Sequence, residues 1–162
     1  MTESGSTSRS SNLHSLCQPT NPNNPGCPAV LGPDYDFSAT PVLTRVGNRD
    51  LIVIPQKSGM VYALDPAERG KTLWSYRAGP GGPVGGVWGG AVEGDRMYVA
   101  VGGYRNEETG GIHAIDVDTG ERIWYTPPQP LLCAPAGPAC SSTQAAAVTA
   151  VPGAVFSGSA DG

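Results

Sequence analysis

The sequence feature that most constrains the fold is an internal repeat of about 50 residues. The segment Gly59–Asp65 aligns with Gly111–Asp116, sharing a lead glycine, apolar positions, an alanine and an aspartate, and the two lead glycines are 52 residues apart. A second segment, GKTLW at 70–74, aligns with GERIW at 120–124 at an offset of 50. The length difference therefore falls in the turn between the two segments. A repeat of this length predicts structural units that stack on one another.

Each unit contains four short segments with the composition of β-strands. They are 5 to 9 residues long and rich in Val, Ile, Tyr and Trp, and no window shows the spacing of an amphipathic helix. The 23 glycines and 16 prolines punctuate these segments as turn residues do. Four strands at this period are typical of a propeller blade, which needs a neighbour on each face. We expect an all-β chain that forms part of a β-propeller.

The repeat divides the chain into four parts. We expect a polar tail with a Cys-flanked loop at 1–33, blade one at 34–84, blade two with a Cys-containing loop at 85–141, and a truncated start of blade three at 142–162. In the third copy, Gly162 matches Gly111 at an offset of 51. Two blades and the start of a third cannot close a ring, so we expect the chain to be a fragment of a longer protein.

Charge and composition exclude several classes of function. The net charge is −4 with only 10 Lys and Arg and no basic run, which argues against nucleic-acid binding. No apolar stretch approaches the length of a membrane span, and the chain does not begin with an export signal. The four cysteines fall in two local pairs in Pro-rich loops, and neither pair has metal-ligand spacing. We expect two short disulfides formed in an oxidising compartment, and the alternative is four free thiols; the cysteines are Cys17, Cys27, Cys133 and Cys140.

One motif occurs in both units and indicates how the blades are held together. The pattern Ala-x-Asp-x-x-Thr-Gly-x-x-x-Trp is complete in the second unit and has one inserted residue in the first. It resembles the tryptophan-docking motif of the quinoprotein, PQQ-dependent propellers, which have W-shaped blades. The resemblance implies that each tryptophan lies flat between adjacent blades against small residues, and therefore has a structural role. The residues concerned are Ala63, Gly70, Trp74, Ala114, Gly120 and Trp124.

Longer strings over residues 22–162 resemble polyvinyl-alcohol dehydrogenase and its relatives, which are periplasmic quinoprotein alcohol dehydrogenases. Among these strings are GPDYDFSATPVL, DLIVIPQKSGMVYALDP and AAAVTAVPGAVFSGSADG. The resemblance implies oxidation of a secondary or polymeric alcohol by PQQ with Ca²⁺, electron transfer to a cytochrome c, and a periplasmic location. It also implies that this segment alone is inactive. The alternative is a non-catalytic propeller with the same docking motif, used as a binding or assembly scaffold.

In such propellers the first strand of each blade lines the central channel, and the cofactor lies across its mouth. By register these strands lie near Phe37–Leu43, Val87–Val92 and Ala145–Val151, so the residues at their starts are candidates for the site. Asp36 is a candidate calcium ligand or base, because Ca²⁺ prefers hard oxygen donors, and the alternative is a cap on the strand. Trp88, in a Gly-rich stretch, is a candidate to stack on the quinone, and the alternative is core packing. Gln144 is the third cofactor candidate.

The loop before the third strand of blade one offers two more cofactor candidates. Lys57 or Gln56 can bond the cofactor carboxylates, and the alternative is an exposed hairpin loop. In blade two we expect Arg105 to be solvated and His113 to be packed among apolar residues. The chain has no Cys-x-x-Cys-His, so we expect no c-type haem on this segment. Nothing in the sequence identifies a catalytic base.

Overall fold

The computed structural model describes residues 32–33, 35–82, 84–103, 110–133 and 140–161. Over these ranges the chain contains β-strands and no helix. The predictions for Cys17, Cys27 and Arg105 concern residues outside the described ranges. The strands are β1 (Val42–Val46), β2 (Arg49–Pro55), β3 (Met60–Asp65), β4 (Lys71–Arg77), β5 (Ala91–Glu93), β6 (Arg96–Ala100), β7 (Ile112–Asp116), β8 (Arg122–Thr126), β9 (Thr149–Val151) and β10 (Ala154–Phe156).

The strands form successive antiparallel sheets in chain order. The first sheet has the order β1-β2-β3-β4, the second has the order β5-β6-β7-β8, and β9 pairs with β10. The ladders of the two complete sheets carry a register shift at the same place, between Ala63 and Leu64 and between Ala114 and Ile115. The repeat and the all-β, four-stranded blade architecture are thereby confirmed. The strands fall inside the intervals given for the blades, and the exact boundaries stay predictions.

The main hydrophobic core lies between the first and second sheets. Alternate residues of β2 and β3 point toward it, and Leu51, Val53, Val61 and Ala63 are fully buried. The second sheet supplies further buried apolar side chains to the same cluster: Met97, Val99, Ile115 and Val117. Burying one such aliphatic side chain contributes roughly 1.5–3 kcal/mol. This shared core makes the two sheets one packed unit.

The first strands of the units approach one another. Strand β1 contacts β5, and β5 contacts β9, whereas the outermost strands β4 and β8 lie at the far sides of their sheets. Blades arranged around an axis bring their first strands together in this way. The structure therefore has the geometry of consecutive propeller blades.

The first strands begin later than the sequence predicted. They start at Val42, Ala91 and Thr149, so Asp36, Trp88 and Gln144 lie in the segments that lead into them and not at the strand starts. Before β5 the reason is the glycine conformation: Gly86 and Gly89 have φ of 60° and 89°, which extended strands do not adopt. The predicted strand intervals were wrong by several residues at their beginnings.

The turn between the third and fourth strands has the same construction in both sheets. In the first, the Asp65 carboxylate accepts from the backbone N–H groups of Ala67 and Glu68 at 2.8 and 3.2 Å. In the second, Asp116 accepts from Asp118 and Thr119, both at 2.9 Å. Each turn ends in a glycine with positive φ, 78° at Gly70 and 77° at Gly120. The extra residue of the first turn, Arg69, takes a left-handed φ of 57°.

A search of the described residues for membrane-spanning helices finds no segment that is long and apolar enough to be one.

Candidate functional site

The segments that precede the first strands meet the turns between second and third strands on one side of the sheets. The backbone N–H of Lys57 donates to the Asp36 carbonyl at 3.2 Å, and Gly82 donates to the Lys57 carbonyl at 2.9 Å. In the second unit, Gln144 donates to the Val101 carbonyl at 3.2 Å. We call this surface the loop face; it comprises 35–41, 56–59, 78–90, 101–111 and 140–148 where these are described. It carries all four residues predicted to bind cofactor or metal.

Asp36 and Lys57, predicted to bind different ligands, form an ion pair with each other. The Lys57 ammonium lies 3.0 Å from an Asp36 carboxylate oxygen, and only 14% and 15% of the two side chains are exposed. The Ser38 hydroxyl also donates to the Asp36 carboxylate at 3.4 Å. Because the pair is mostly shielded from water, its attraction is less screened than that of a surface pair. The pair fastens the segment before β1 to the β2–β3 turn.

The β2–β3 turn is not an exposed hairpin loop, because its side chains are buried in a hydrogen-bond network. Gln56 and Ser58 are 6% and 7% exposed. The side-chain carbonyl of Gln56 accepts from the Ser58 hydroxyl at 2.6 Å and from the Tyr62 hydroxyl at 3.4 Å. The Tyr62 ring packs edge-on against Phe37, with centroids 5.7 Å apart. Gln56 therefore supports the turn internally, and Lys57 is the turn residue whose charged group is paired with Asp36.

The glycine-rich stretch before β5 packs directly on this turn. A Cβ atom at Gly81, Gly85 or Gly86 would lie 2.4–2.5 Å from a carbonyl oxygen of residues 56–58. Such an approach is possible only for glycine, because a side chain would collide with backbone that cannot yield. Close backbone contact therefore accounts for glycine at positions 85 and 86. At Gly89, by contrast, a Cβ would meet open space.

Trp88 follows these packed glycines and is 43% exposed. It lies outside any strand, and the described part of the chain provides it with no hydrogen bond and no aromatic neighbour. The alternative that it serves as core packing is therefore not what the structure shows. A large indole surface left in water is unfavourable by about 25 cal/mol per Å². Trp88 thus offers a flat apolar surface on the loop face.

Gln144 lies on the loop face of the second and third units. Its side-chain carbonyl accepts from the Ser157 hydroxyl at 2.7 Å, which connects it to the segment after β10. Next to it, the buried Thr143 donates its hydroxyl to the Gly103 carbonyl. The carbonyl oxygen of Gln144 is therefore occupied in this structure, and its amide N–H₂ group is the part able to donate to a ligand.

The residues of the loop face fit calcium poorly and a flat ring better. No group of three or more His, Cys, Asp or Glu side chains suited to a metal ion occurs among the described residues. The Asp36 carboxylate is held by an ammonium group at 3.0 Å, which competes with a cation for the same oxygen. For a quinone, in contrast, the exposed face of Trp88 and the amide of Gln144 are suitable groups. Asp36 alone does not make a calcium site.

Trp74 joins the first sheet to the second. Its ring lies on Gly120, where a Cβ would come within 2.6 Å of the indole, and its Nε1–H donates to the Val117 carbonyl at 2.9 Å. On its own sheet, Trp74 pairs with the fully buried Ala63 across the ladder. The indole therefore rests on Gly120 and bonds Val117 of the second sheet, while its ladder partner Ala63 belongs to its own sheet.

Trp124 occupies the equivalent position in the second sheet. It pairs with Ala114 on β7 and packs on Tyr98, with ring centroids 5.9 Å apart. Val148 and Val155 of the third unit belong to the same apolar cluster. No Nε1 hydrogen bond of Trp124 occurs within the described residues. Trp124 thus faces the third unit as Trp74 faces the second.

A disulfide joins Cys133 to Cys140, with Cα atoms 6.0 Å apart, as expected for the second cysteine pair. Beside it, Asp161 is 9% exposed, and its carboxylate accepts from the backbone N–H of Leu132 at 3.2 Å and from the Ser159 hydroxyl. These bonds hold the pKa of Asp161 below its usual value, the Ser159 bond most of all. Asp161 anchors the disulfide-bearing loop to the third unit. Apart from the Asp-Gly pair at 161–162, no local pattern indicates this role.

His113 is packed in the interior, as expected. It is 6% exposed, and its Nδ1 lies 2.7 Å from the Tyr76 hydroxyl of the first sheet. Its ring also lies 4.3 Å, centroid to centroid, from that of Tyr125. Burial lowers the pKa of His113 to about 4, and the nearby Arg122 guanidinium adds to the effect. The imidazole is therefore neutral at pH 7 and is hydrogen-bonded through Nδ1 to the Tyr76 hydroxyl.

The geometry is that of consecutive β-propeller blades joined by docked tryptophans. Comparisons with known proteins define the resemblance more closely. A polyvinylalcohol dehydrogenase from Pseudomonas sp is 37% identical over 145 residues, which are 87% of this chain and 23% of that protein. A polyvinylalcohol dehydrogenase from Sphingopyxis sp. (strain 113P3) is 33% identical over 143 residues, which are 84% of this chain and 22% of that protein. The resemblance noted from the sequence is thereby confirmed.

The chain spans about a quarter of the length of these curated relatives. Among solved structures, a europium-containing methanol dehydrogenase matches with 24% identity and a TM-score of 0.40, over 55% of this chain and 15% of its own length. No family model matches the chain.

Proposed function

We propose that this chain is part of a PQQ-dependent alcohol dehydrogenase that oxidises secondary or polymeric alcohols. The observation that carries the proposal is the 37% identity to a polyvinylalcohol dehydrogenase across 87% of the chain. Propeller blades joined by docked tryptophans support it, and we propose that the cofactor lies at the loop face. The chain alone supplies part of that face.

In this proposal the loop face forms one sector of the cofactor site. Trp88 presents its indole for stacking, and Gln144 donates from its amide group. The Asp36–Lys57 pair, shielded at 14–15% exposure, holds the segment before β1 in place, and the ammonium is positioned to bond an anionic group of the ligand at the cost of competing with Asp36. The bound quinone supplies the redox chemistry, and the residues described here orient it and exclude water.

The finer parts of the proposal rest on the resemblance. These are calcium, a cytochrome c as electron acceptor and a periplasmic location. The Cys133–Cys140 disulfide supports an oxidising compartment, because cytosolic thiols are kept reduced. Since Asp36 is paired with Lys57, we propose that the principal calcium ligands lie outside the described residues.

The test uses the full protein that contains these residues. It is titrated with PQQ in the presence of Ca²⁺, and dye reduction is followed with polyvinyl alcohol and with a small secondary alcohol. Saturable, PQQ-dependent turnover supports the proposal. A folded protein that neither binds PQQ nor reduces the dye overturns it and leaves the scaffold alternative.

A matched pair of variants tests the role of Trp88. Trp88→Ala removes the exposed ring from the loop face, and we expect PQQ affinity to fall by about two- to thirteenfold, as the loss of about 0.5–1.5 kcal/mol of stacking implies. The control is Ile123→Ala, which removes a side chain of equal exposure, 44%, from the outer strand β8. If both variants bind PQQ as the parent does, Trp88 has no cofactor role.

A further inference from the structure

A groove of about 290 Å³ lies between the outer part of the first sheet and the face of the second sheet. None of the residues proposed to bind PQQ lines it. Its cationic walls are Arg77, at the end of β4, and Arg122, at the start of β8. Its other walls are apolar or aromatic: Ala78, Pro80, Val101 and Tyr125, with His113 at its base.

Within the part of the chain that the structure describes, the two guanidinium groups have no carboxylate counter-ion. Arg77 donates through Nη1 to the carbonyl oxygens of Ser58 and Gly79 at 3.3 and 3.2 Å. Burial raises the pKa of Tyr76, Arg122 lies close enough to its hydroxyl to oppose that rise in part, and the hydroxyl is hydrogen-bonded to Nδ1 of His113 at 2.7 Å. Over the described ranges, neither arginine has a carboxylate partner, and no Asp or Glu lines the groove. Each planar guanidinium has five N–H donors, so both retain donors for a ligand.

The aromatic floor distinguishes this groove from a simple patch of positive charge. Tyr125 is 39% exposed, and its ring lies 4.3 Å, centroid to centroid, from that of His113. Because burial lowers the pKa of His113 to about 4, the imidazole adds no charge at pH 7 and acts as an apolar, polarisable surface. Fixed guanidinium groups favour a carboxylate, and the aromatic and proline walls favour a flat apolar body.

We propose that this groove binds a small aromatic carboxylate, with its carboxylate group on Arg77 and Arg122 and its ring against Tyr125. The groove borders the loop face, with which it shares residues 78–80 and 101, but none of the residues proposed to bind PQQ lines it. It therefore serves as a peripheral ligand site between the first and second blades.

The test is calorimetric titration of the protein with benzoate at pH 7, with acetate and inorganic phosphate as comparison probes. We expect saturable 1:1 binding of benzoate, at least tenfold tighter than acetate or phosphate. Equal binding of phosphate overturns the aromatic assignment, because the site then recognises charge alone. Absence of saturable benzoate binding overturns the proposal entirely.

Single substitutions test which residues form the benzoate site. Arg122→Gln and Arg77→Gln should each weaken benzoate binding by tenfold or more, whereas Arg45→Gln, which removes an exposed guanidinium of β1, should leave it unchanged. If Arg122→Gln loses its fold, Tyr125→Ala provides the second test, with an expected loss of about fivefold. Benzoate that binds equally well to Arg77→Gln, or to a folded Arg122→Gln, occupies another site and contradicts the proposal.

Nuclear magnetic resonance of His113 gives a readout independent of affinity. The groups that face it are Tyr76 on β4, Tyr125 and Arg122 on β8, and Arg77 across the groove. An anion beside these cations stabilises the protonated imidazole, so benzoate should raise the pKa of His113 above its value of about 4. An unchanged His113 titration at saturating benzoate would place the ligand elsewhere.

Discussion

The contacts between successive units differ in completeness along the chain. Between the first and second sheets, Trp74 lies on Gly120, bonds the Val117 carbonyl, and adjoins a core in which both sheets bury aliphatic side chains. Between the second sheet and the β9–β10 hairpin, Trp124 packs on Tyr98 and a smaller apolar cluster. In that hairpin, Phe156 is 60% exposed.

The difference shows what a blade needs from its neighbour. The turn between the third and fourth strands of the next sheet makes both contacts that hold the Trp74 ring, because it supplies a glycine surface and a carbonyl acceptor. The third unit is described through β10 and the residues up to 161, which do not include the equivalent turn. A docked tryptophan therefore depends on the turn between the third and fourth strands of the following blade, whereas the shared core is built from both the second and third strands of that blade.

The largest effect is expected for Trp74→Ala. It removes the ring between two sheets and leaves a cavity, which costs about 3–5 kcal/mol of unfolding free energy. Trp124→Ala in the same 162-residue chain should cost at least 1 kcal/mol less, because the Nε1 bond that Trp74 makes to Val117 is worth about that much. Denaturant unfolding measures both. Equal losses would show that Trp124 is docked as completely as Trp74, and would break the comparison.

The glycine under Trp74 offers a closely matched test. Gly70 and Gly120 have the same backbone conformation, with φ of 78° and 77°, but a Cβ at Gly70 meets nothing within 4 Å. Gly70→Ala should cost about 1–2 kcal/mol for the left-handed backbone alone. Gly120→Ala should cost about 1–3 kcal/mol more, because the methyl group displaces the indole. Thermal unfolding of the two variants gives the difference. Equal shifts would mean that the ring does not rest on Gly120.

Buried His113 makes the stability of the contact between the first and second sheets sensitive to acid. Its pKa of about 4 in the folded state is below the unfolded value of 6.5, so the unfolded state binds more protons between these values. The contribution of neutral His113 is full above pH 6.5 and is lost as pH falls toward 4. We expect a loss of roughly 2 kcal/mol between pH 7.5 and 5, following 1.36 kcal/mol per pKa unit.

Replacement of the histidine isolates this dependence. His113→Gln should flatten the slope of stability against pH between 6.5 and 4, whatever its effect on the absolute stability at pH 7. Chemical denaturation at a series of pH values measures the slope. An unchanged slope in His113→Gln would assign the acid sensitivity to other groups.

The smallest effect on unfolding free energy is expected at the exposed edge of the contact between the first and second sheets. Arg49, the first residue of β2, and Asp118, in a turn of the second sheet, form an ion pair of 2.9 Å, with 45% and 54% of their side chains exposed. An exposed pair of this kind contributes about 0–1 kcal/mol and is weakened by salt. Asp118→Asn should therefore change unfolding free energy by less than about 1 kcal/mol, and less still at high ionic strength. A loss that exceeds the Gly120→Ala loss would move the centre of this contact from the tryptophan to the exposed edge.

The fold was predictable because its signals are local and repeated. Strand segments, turn glycines and the motif around Ala114 and Trp124 recur at a fixed period, so the number of strands per blade could be read from one chain. The start of β5 could not, because Gly85 and Gly86 are fixed by contact with a turn about 30 residues earlier, and no local pattern records that contact.

The side of the sheets that carries the candidate site was predictable, but the contacts between its side chains were not. Register placed Asp36, Lys57, Trp88 and Gln144 on one side of the sheets. Their pairing depends on side-chain packing between distant segments, so the ion pair of Asp36 with Lys57 and the anchoring role of Asp161 were missed. Individual roles toward a cofactor stay predictions.

A double-mutant cycle at Trp74 and Gly120 tests most directly whether the first contact is a docked ring on a glycine surface. Unfolding free energies are measured for the parent, the two single alanine variants and the double variant. We predict that Gly120→Ala costs about the same as Gly70→Ala once Trp74 is alanine, with a coupling of at least 1 kcal/mol. Additive losses, with a coupling near zero, would contradict the account.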